Sequence, residues 1–305
     1  MIRLRPHPRA FTLVELLVAL GIAAVLMALL IGVVSKVKQA AYRSSTAATI
    51  AALQGAIEAY YQNFKAYPGP ISDETICGLD NSGLPGGLGN KRPTMSENLV
   101  LGLCGGLGFD SSGQNIIFST EFVGRGPRTL ANAGSSKIMA PFYGANDRIT
   151  SYAPVNPAWW GLVIASNQQP LNTDSMIPEF LDTYPETMPI LYYRAHRSAP
   201  GVASDSSSNI LAPYDVRQNS AYVASPAAMN LGMARPLGHG LQLAGTYGVP
   251  PNRPTNYRYN LTTFMASPND PSRPRVPDGY VLIAAGPARI YGTDDNIVSF
   301  GKVAP

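Results

Sequence analysis

A single carboxylate, Glu15, interrupts an otherwise uncharged apolar run of 24 residues from Phe11 to Val34, FTLVELLVALGIAAVLMALLIGVV. A charge in such surroundings costs free energy unless it finds a partner. If the chain were cut between Ala10 and Phe11, the new α-ammonium would lie one helical turn from Glu15. The carboxylate would then sit where the helix dipole favours negative charge and where an amine could form a charge-assisted bond with it. The plain alternative is a glutamate that snorkels to the headgroups.

Other groups with chemical potential are few. Asp294 and Asp295, followed by Asn296, crowd oxygen donors into a short loop, and the two carboxylates repel each other unless something positive lies between them. Arg289, a little upstream, is one such positive group; a solvated Asp-Asp-Asn turn is the other reading. The two cysteines, Cys77 and Cys104, do not form a CxxC. They are read either as a disulfide in an oxidising compartment or as two buried thiols. His7, His196 and His239 are scattered, so metal-ligand spacing is absent. Ser35 and Lys38 make a formal S-x-x-K at the exit of the apolar run, with nothing nearby to build a pocket. Gly86-Gly87 and Gly105-Gly106 are not followed by Lys-Ser/Thr, which argues against a phosphate loop. Trp159-Trp160 read as packing residues. No nucleophile, acid–base pair or metal cluster emerges, and the chain is not expected to be an enzyme.

The elements that must position Glu15 are clear. At 1.5 Å per residue the apolar run spans roughly 36 Å, enough to cross a hydrocarbon core of about 30 Å with tilt. It is too long for the apolar part of a secretory signal peptide. Ser35-Lys36-Val37-Lys38 marks its exit to water. Beyond it Ile50, Leu53, Ile57, Tyr60 and Phe64 recur at three- and four-residue steps, so one apolar face continues. Tyr67-Pro68-Gly69-Pro70 should end the helix near Ala66. The expectation is one helix from Phe11, about 80 Å long.

Composition limits the remainder. The chain has 305 residues, with 14% charged, 29 Gly and 27 Pro, which suggests a loop-rich globular part. The formal charge is +4, and Arg3, Arg5 and Arg9 all lie in the first ten residues. Nothing beyond them resembles a nucleic-acid footprint, and no nucleic-acid partner is expected. Ser96-Glu97-Asn98-Leu99 reads as the cap of a short helix through Leu103. Strand-like runs occur at Asn115–Phe118, Leu162–Ala165, Ile190–Tyr193 and Tyr222–Ala224, and Ser204–Asn209 reads as an exposed loop. Tyr280–Ala284 reads as a buried strand, Gly286-Pro287 as a turn, and Ile290–Ile297 as a second short strand with an acidic loop.

Phe11-Thr12-Leu13-Val14-Glu15-Leu16, after a short basic leader and before an apolar helix, resembles the cleavage and methylation motif of the type IV prepilin and type II secretion pseudopilin family. The segments Thr46–Pro70 and Tyr280–Gly301 resemble the helix end and the last hairpin of major pseudopilins. The resemblance implies an α+β, pilin-like fold: one long N-terminal helix packed on a globular domain with an antiparallel sheet. It divides the chain into a leader at 1–10, a transmembrane or filament-core helix at 11–34, its amphipathic continuation at 35–66, and an exported domain at 67–305 with a large insertion at about 110–275. It implies that a prepilin peptidase cuts between Ala10 and Phe11 and methylates the Phe11 amine, and that Glu15 neutralises that amine on a neighbouring subunit during assembly. The family has Gly where Ala10 stands. The implied partners are the peptidase, other pilin or pseudopilin subunits, an inner-membrane assembly platform and the lipid bilayer. The implied location is the bacterial inner membrane, single pass, with the globular domain periplasmic or extracellular. A calcium ion in the acidic loop, on Asp294, Asp295 and Asn296, is also implied, although Ala288 or Arg289 stands where a further Asp is expected. A surface pilin or minor pilin with a binding domain, or an exported domain that never assembles, are the alternatives.

Overall fold

The computed structural model describes residues 12–79, 93–104, 106–109, 116–119, 177, 179–185, 188–196, 199, 201, 203–204, 212–219, 265–270, 272–287, 291 and 295–300. Within helices and strands it leaves out the side chains of 28–33, 106–109, 116–119, 203–204 and 216. The run Leu162–Ala165, the run Tyr222–Ala224, Trp159 and Trp160 lie outside the described residues, as does most of Ser204–Asn209.

Helix α1 runs from Leu13 to Phe64, 52 residues, or about 78 Å. Thr12 caps its start: the Glu15 N–H donates to Thr12 Oγ1 at 3.3 Å, and the Thr12 N–H donates back to Glu15 Oε2 at 2.9 Å. This reciprocal pair satisfies two N–H groups that helix geometry leaves without a partner. The helix stops two residues short of Ala66. Lys65 turns left-handed (φ 55°) and its N–H closes on Tyr61 O at 2.8 Å, ahead of the Pro-Gly-Pro stretch that cannot continue a helix.

A short helix α2 (Asp73–Ile76) follows the turn, and α3 (Met95–Leu103) comes next. Thr94 caps α3, two residues ahead of the expected Ser96, and Glu97 completes the same reciprocal cap seen on α1. Ser96 instead faces inward, where its N–H and Oγ both donate to Asn219 Oδ1. The α3 backbone comes close to the turn after α1: a Cβ on Gly102 would lie 2.7 Å from Gly69 N, so only glycine fits.

Strands β1 (Gly106–Phe109) and β2 (Ile116–Ser119) form an antiparallel pair. β3 (Leu191–Arg194), β6 (Tyr280–Ala284) and β7 (Ile297–Val298) form a second, antiparallel sheet with β6 in the centre. Between β3 and β6 in sequence, β4 (Ala203–Ser204) and β5 (Tyr214–Asp215) make a short parallel pair, followed by a 3₁₀ turn at Val216–Asn219. Tyr192 faces Leu282 and Tyr193 faces Val281 across the central pair.

Because side chains alternate along a strand, β3 and β6 feed two separate cores. Tyr192, Tyr280, Leu282 and Ala284 pack with Ile50, Leu53, Ile57 and Tyr60 of α1 and with Leu99 and Leu103 of α3. Leu191, Tyr193, Val281 and Ile283 pack on the other side with Tyr214, Met265 and Tyr291. Coverage on both faces explains why every residue of β6 is apolar and buried, where an antiparallel strand with one wet face would alternate. The fold is α+β, with one long N-terminal helix laid across a small antiparallel sheet.

Candidate assembly site and its mooring to the head

Glu15 sits in the first turn of α1, exposed, with Oε2 accepting from both Thr12 N and Thr12 Oγ1, at 2.9 and 2.8 Å. The cap holds the carboxylate at the very start of the helix. Ala10 and Phe11 lie outside the described residues, so the Phe11 amine has no stated position.

Just behind Glu15 the helix packs on no other element among the described residues. Leu13, Val14, Leu16, Ile22 and Leu26 are exposed by between 54% and 78% of their surface. These residues point in all directions around the axis, so no single docked face could cover them. Ser35 and Lys38 are exposed on the same helix.

Among the described residues, contact of α1 with the globular part, the head, begins at Tyr42. Thr183 Oγ1 donates to Tyr42 O at 2.9 Å, the Thr46 and Thr183 hydroxyls lie 2.8 Å apart, and the rings of Tyr42 and Tyr184 are 5.6 Å apart. Farther along, Gln54 Nε2 donates to Ser299 O at 3.1 Å.

The end of the helix is moored by a charge that sequence inspection passed over. Arg194, the last residue of β3, donates through Nη1 to the carbonyls of Tyr67, Pro68 and Gly69 and through Nη2 to Ile71 O. Its Nε and Nη2 also reach Asp73 Oδ1, at 3.3 and 2.8 Å. His196 Nδ1 stands 3.5 Å from Asp73 Oδ2. Burial alone would push the Asp73 carboxyl up, but Arg194 and His196 together hold it below the usual carboxylate range. The hydrogen bond to Asp73 raises the His196 imidazole. A cleft of about 330 Å³ opens beside this group, lined among others by Lys65, Ser72, Glu74 and His196. Ser72 Oγ caps α2 and pairs with Thr75 Oγ1 at 3.0 Å, so it is not aimed at His196 as a nucleophile would be. The group is a structural joint. Its sequence signal was a lone arginine in the apolar run ILYYRA.

A second buried pair was equally missed. Thr94 N donates to Glu97 Oε2 at 2.6 Å, and Thr94 Oγ1 donates to Glu179 Oε1 at 2.8 Å. Burial, reinforced by the Glu179 charge, pushes the Glu97 carboxyl well up.

The remaining expected sites are placed as follows. Cys77 ends α2 and Cys104 ends α3; both are buried, and they do not bond each other. Of the two readings of this pair, a disulfide or two buried thiols, the arrangement is that of the second, and burial pushes the Cys77 thiol far up, which suppresses the thiolate that oxidation needs. Asp294 and Arg289 lie outside the described residues, Asp295 is half-buried, and Asn296 Nδ2 donates to Ala285 O at 2.9 Å. That bond, with Gly286 at φ 67° against Asp295 O, closes the hairpin through protein groups. Among the described residues, no cluster of three His, Cys, Asp or Glu could hold a metal ion. Among them, too, no helix is long and apolar enough to cross a membrane; within the run Phe11–Val34 they leave out Phe11 and the side chains of 28–33.

Residues 5–31 match the family model of the prokaryotic N-terminal methylation motif. No curated protein and no solved structure gives a significant match to the chain. The N-terminus of this protein therefore carries the prepilin-type methylation motif, a hallmark of type IV pilin and pseudopilin precursors.

Proposed function

We propose that this chain is a structural subunit of a filament of the type II secretion or type IV pilus kind, with a pseudopilin role favoured by its C-terminal hairpin. The observation that carries the reading is the first half of α1, whose large apolar side chains are exposed around the whole axis while the head holds only the second half. Apolar surface on that scale demands cover. A bilayer supplies it before assembly, through the span Phe11–Val34, and the helices of neighbouring subunits supply it afterwards. In this reading a prepilin peptidase cuts after Ala10 and methylates Phe11, and the neighbour's Phe11 ammonium approaches a Glu15 already held by Thr12. The globular domain lies on the periplasmic side or in an extracellular filament, and an inner-membrane platform drives assembly.

The test is the intact mass and N-terminal sequence of the protein purified from its own host. A chain beginning at N-methylated Phe11 is the expected result; an intact Met1 terminus on the membrane-associated protein would remove the reading. Shearing the cells then separates its two forms, since a surface pilin is released with the filaments and a pseudopilin stays with the envelope.

A further inference from the structure

Three cations follow the apolar run on α1: Lys36, Lys38 and Arg43. All three are exposed, and among the described residues no ion pair engages them. The helix carries no acidic residue between Glu15 and Glu58. At 1.5 Å per residue, Glu15 lies about 32 Å before Lys36 and Glu58 about 22 Å beyond Arg43. Both distances exceed a screening length of about 8 Å at physiological salt, so nothing on the helix neutralises the three charges.

Their angular spacing describes their partner. At about 100° per residue, Lys36 and Arg43 share one side of the helix and Lys38 lies nearly opposite. A protein docked on one side would meet a stripe; a ring suits a surface that surrounds the helix. All three stay exposed, although the head's contact among the described residues begins at Tyr42 and Thr46, on the arc of the helix between Lys38 and Arg43. The ring also begins two residues beyond Val34, where the proposed span ends, within the reach of long side chains into a headgroup layer. A second copy of this chain is a poorer fit, since its formal charge of +4 stays positive, at +1, when Arg3, Arg5 and Arg9 are removed.

We propose that Lys36, Lys38 and Arg43 form a collar that binds anionic phospholipid headgroups at the leaflet on the exported side. The collar rests on the membrane-spanning reading of Phe11–Val34. It would hold the helix at a fixed depth and enrich anionic lipid around each subunit before assembly.

The experiment reconstitutes the full chain into phosphatidylcholine vesicles that contain spin-labelled phosphatidylglycerol or spin-labelled phosphatidylcholine, and measures the relative association of each lipid by electron spin resonance. The parent chain should prefer phosphatidylglycerol several-fold, on the order of a fivefold contribution per basic residue at most, and high salt should erase the preference. The triple variant K36Q/K38Q/R43Q keeps good helix formers at exposed positions, so circular dichroism should be unchanged. It should lose most of the preference, leaving the part due to Arg3, Arg5 and Arg9. A variant with the parent's full preference would overturn the collar. So would insertion of the parent chain with no lipid preference, and that result would leave the membrane reading standing. Failure of the chain to enter either vesicle would bring down both. If the variant keeps the lipid profile but loses self-association in neutral vesicles, the ring's partner is a protein face and the proposal fails.

Discussion

The two halves of α1 share one continuous helical backbone, yet they do opposite things. From Thr46 onward, Ile50, Leu53, Ile57 and Tyr60 form a stripe that is at most 3% exposed, while the outer face carries Ala, Gln and Glu. From Leu13 to Met27, Leu, Val, Ile and Met occupy every side of the helix and most remain exposed. A stripe can be satisfied by one folded domain; an apolar surface all round can be satisfied only by an environment. The head therefore owns the second half, and in the proposed function the first half is left for lipid or for other subunits. The position where ownership changes is the clasp at Tyr42, Thr46 and Thr183.

Breaking the two halves should give separable results. The largest effect is expected from Glu15→Ala. Insertion should be retained, because a costly charge is gone, but an incoming Phe11 ammonium would be buried without a partner. Filament yield should collapse while the melting of the head stays at the parent value; normal yield would refute the pairing.

Arg194→Leu strikes the other half. It leaves Asp73 buried beside His196 alone and strips partners from the carbonyls of Tyr67 to Ile71. Removing one member of a buried pair costs about 3–5 kcal/mol, so denaturant unfolding of the head should shift by that amount with helix content near the N-terminus preserved. Two leucines then give the most direct comparison. Leu53→Ala, at a site with no exposure, should cost about 2–5 kcal/mol in the same unfolding measurement. Leu17→Ala, 65% exposed, should stay within about 0.5 kcal/mol in the isolated subunit and show its effect only in insertion or assembly.

A subtler effect concerns pH. Because the Glu97 carboxyl is raised in the folded state, its contribution to stability is present below the ordinary carboxylate range and is lost as pH rises through the folded value. Glu97→Gln keeps an oxygen for the Thr94 N–H without the charge. The variant should match the parent at acid pH and exceed it near neutrality. His196, also raised, loses its contribution in the same direction as pH climbs past its ordinary value of 6.5, and that slope should survive in the variant. A parent profile that is flat from acid to neutral would contradict this account.

The smallest effect is assigned to calcium. Asp295 and Asn296 offer the hard oxygens that suit it, but Asn296 and Gly286 already close the hairpin. If calcium binds with Asp294, EDTA should lower the melting temperature slightly, added calcium should restore it, and Asp294→Ala should abolish the difference. A melting curve indifferent to calcium would leave the loop as a plain turn.

The sequence by itself determined whatever depends on near neighbours. The apolar run, the stripe from Ile50 to Phe64, the helix stop before Pro68 and the buried strand Tyr280–Ala284 were all legible, because helix and strand periods and proline geometry act within a few residues. The methylation motif was legible for the same reason, being six adjacent residues in a recognisable setting. Only the tertiary structure decided what the buried charges do. Arg194 and Asp73 are 121 residues apart, and Thr94 and Glu179 are 85 apart. Each alone reads as an ordinary solvated or capping residue. Their role depends on which distant carboxylate or carbonyl the chain brings within about 3 Å, and on the water excluded when it does. That exclusion is what raises Glu97 and gives Arg194 its hold on the end of the helix.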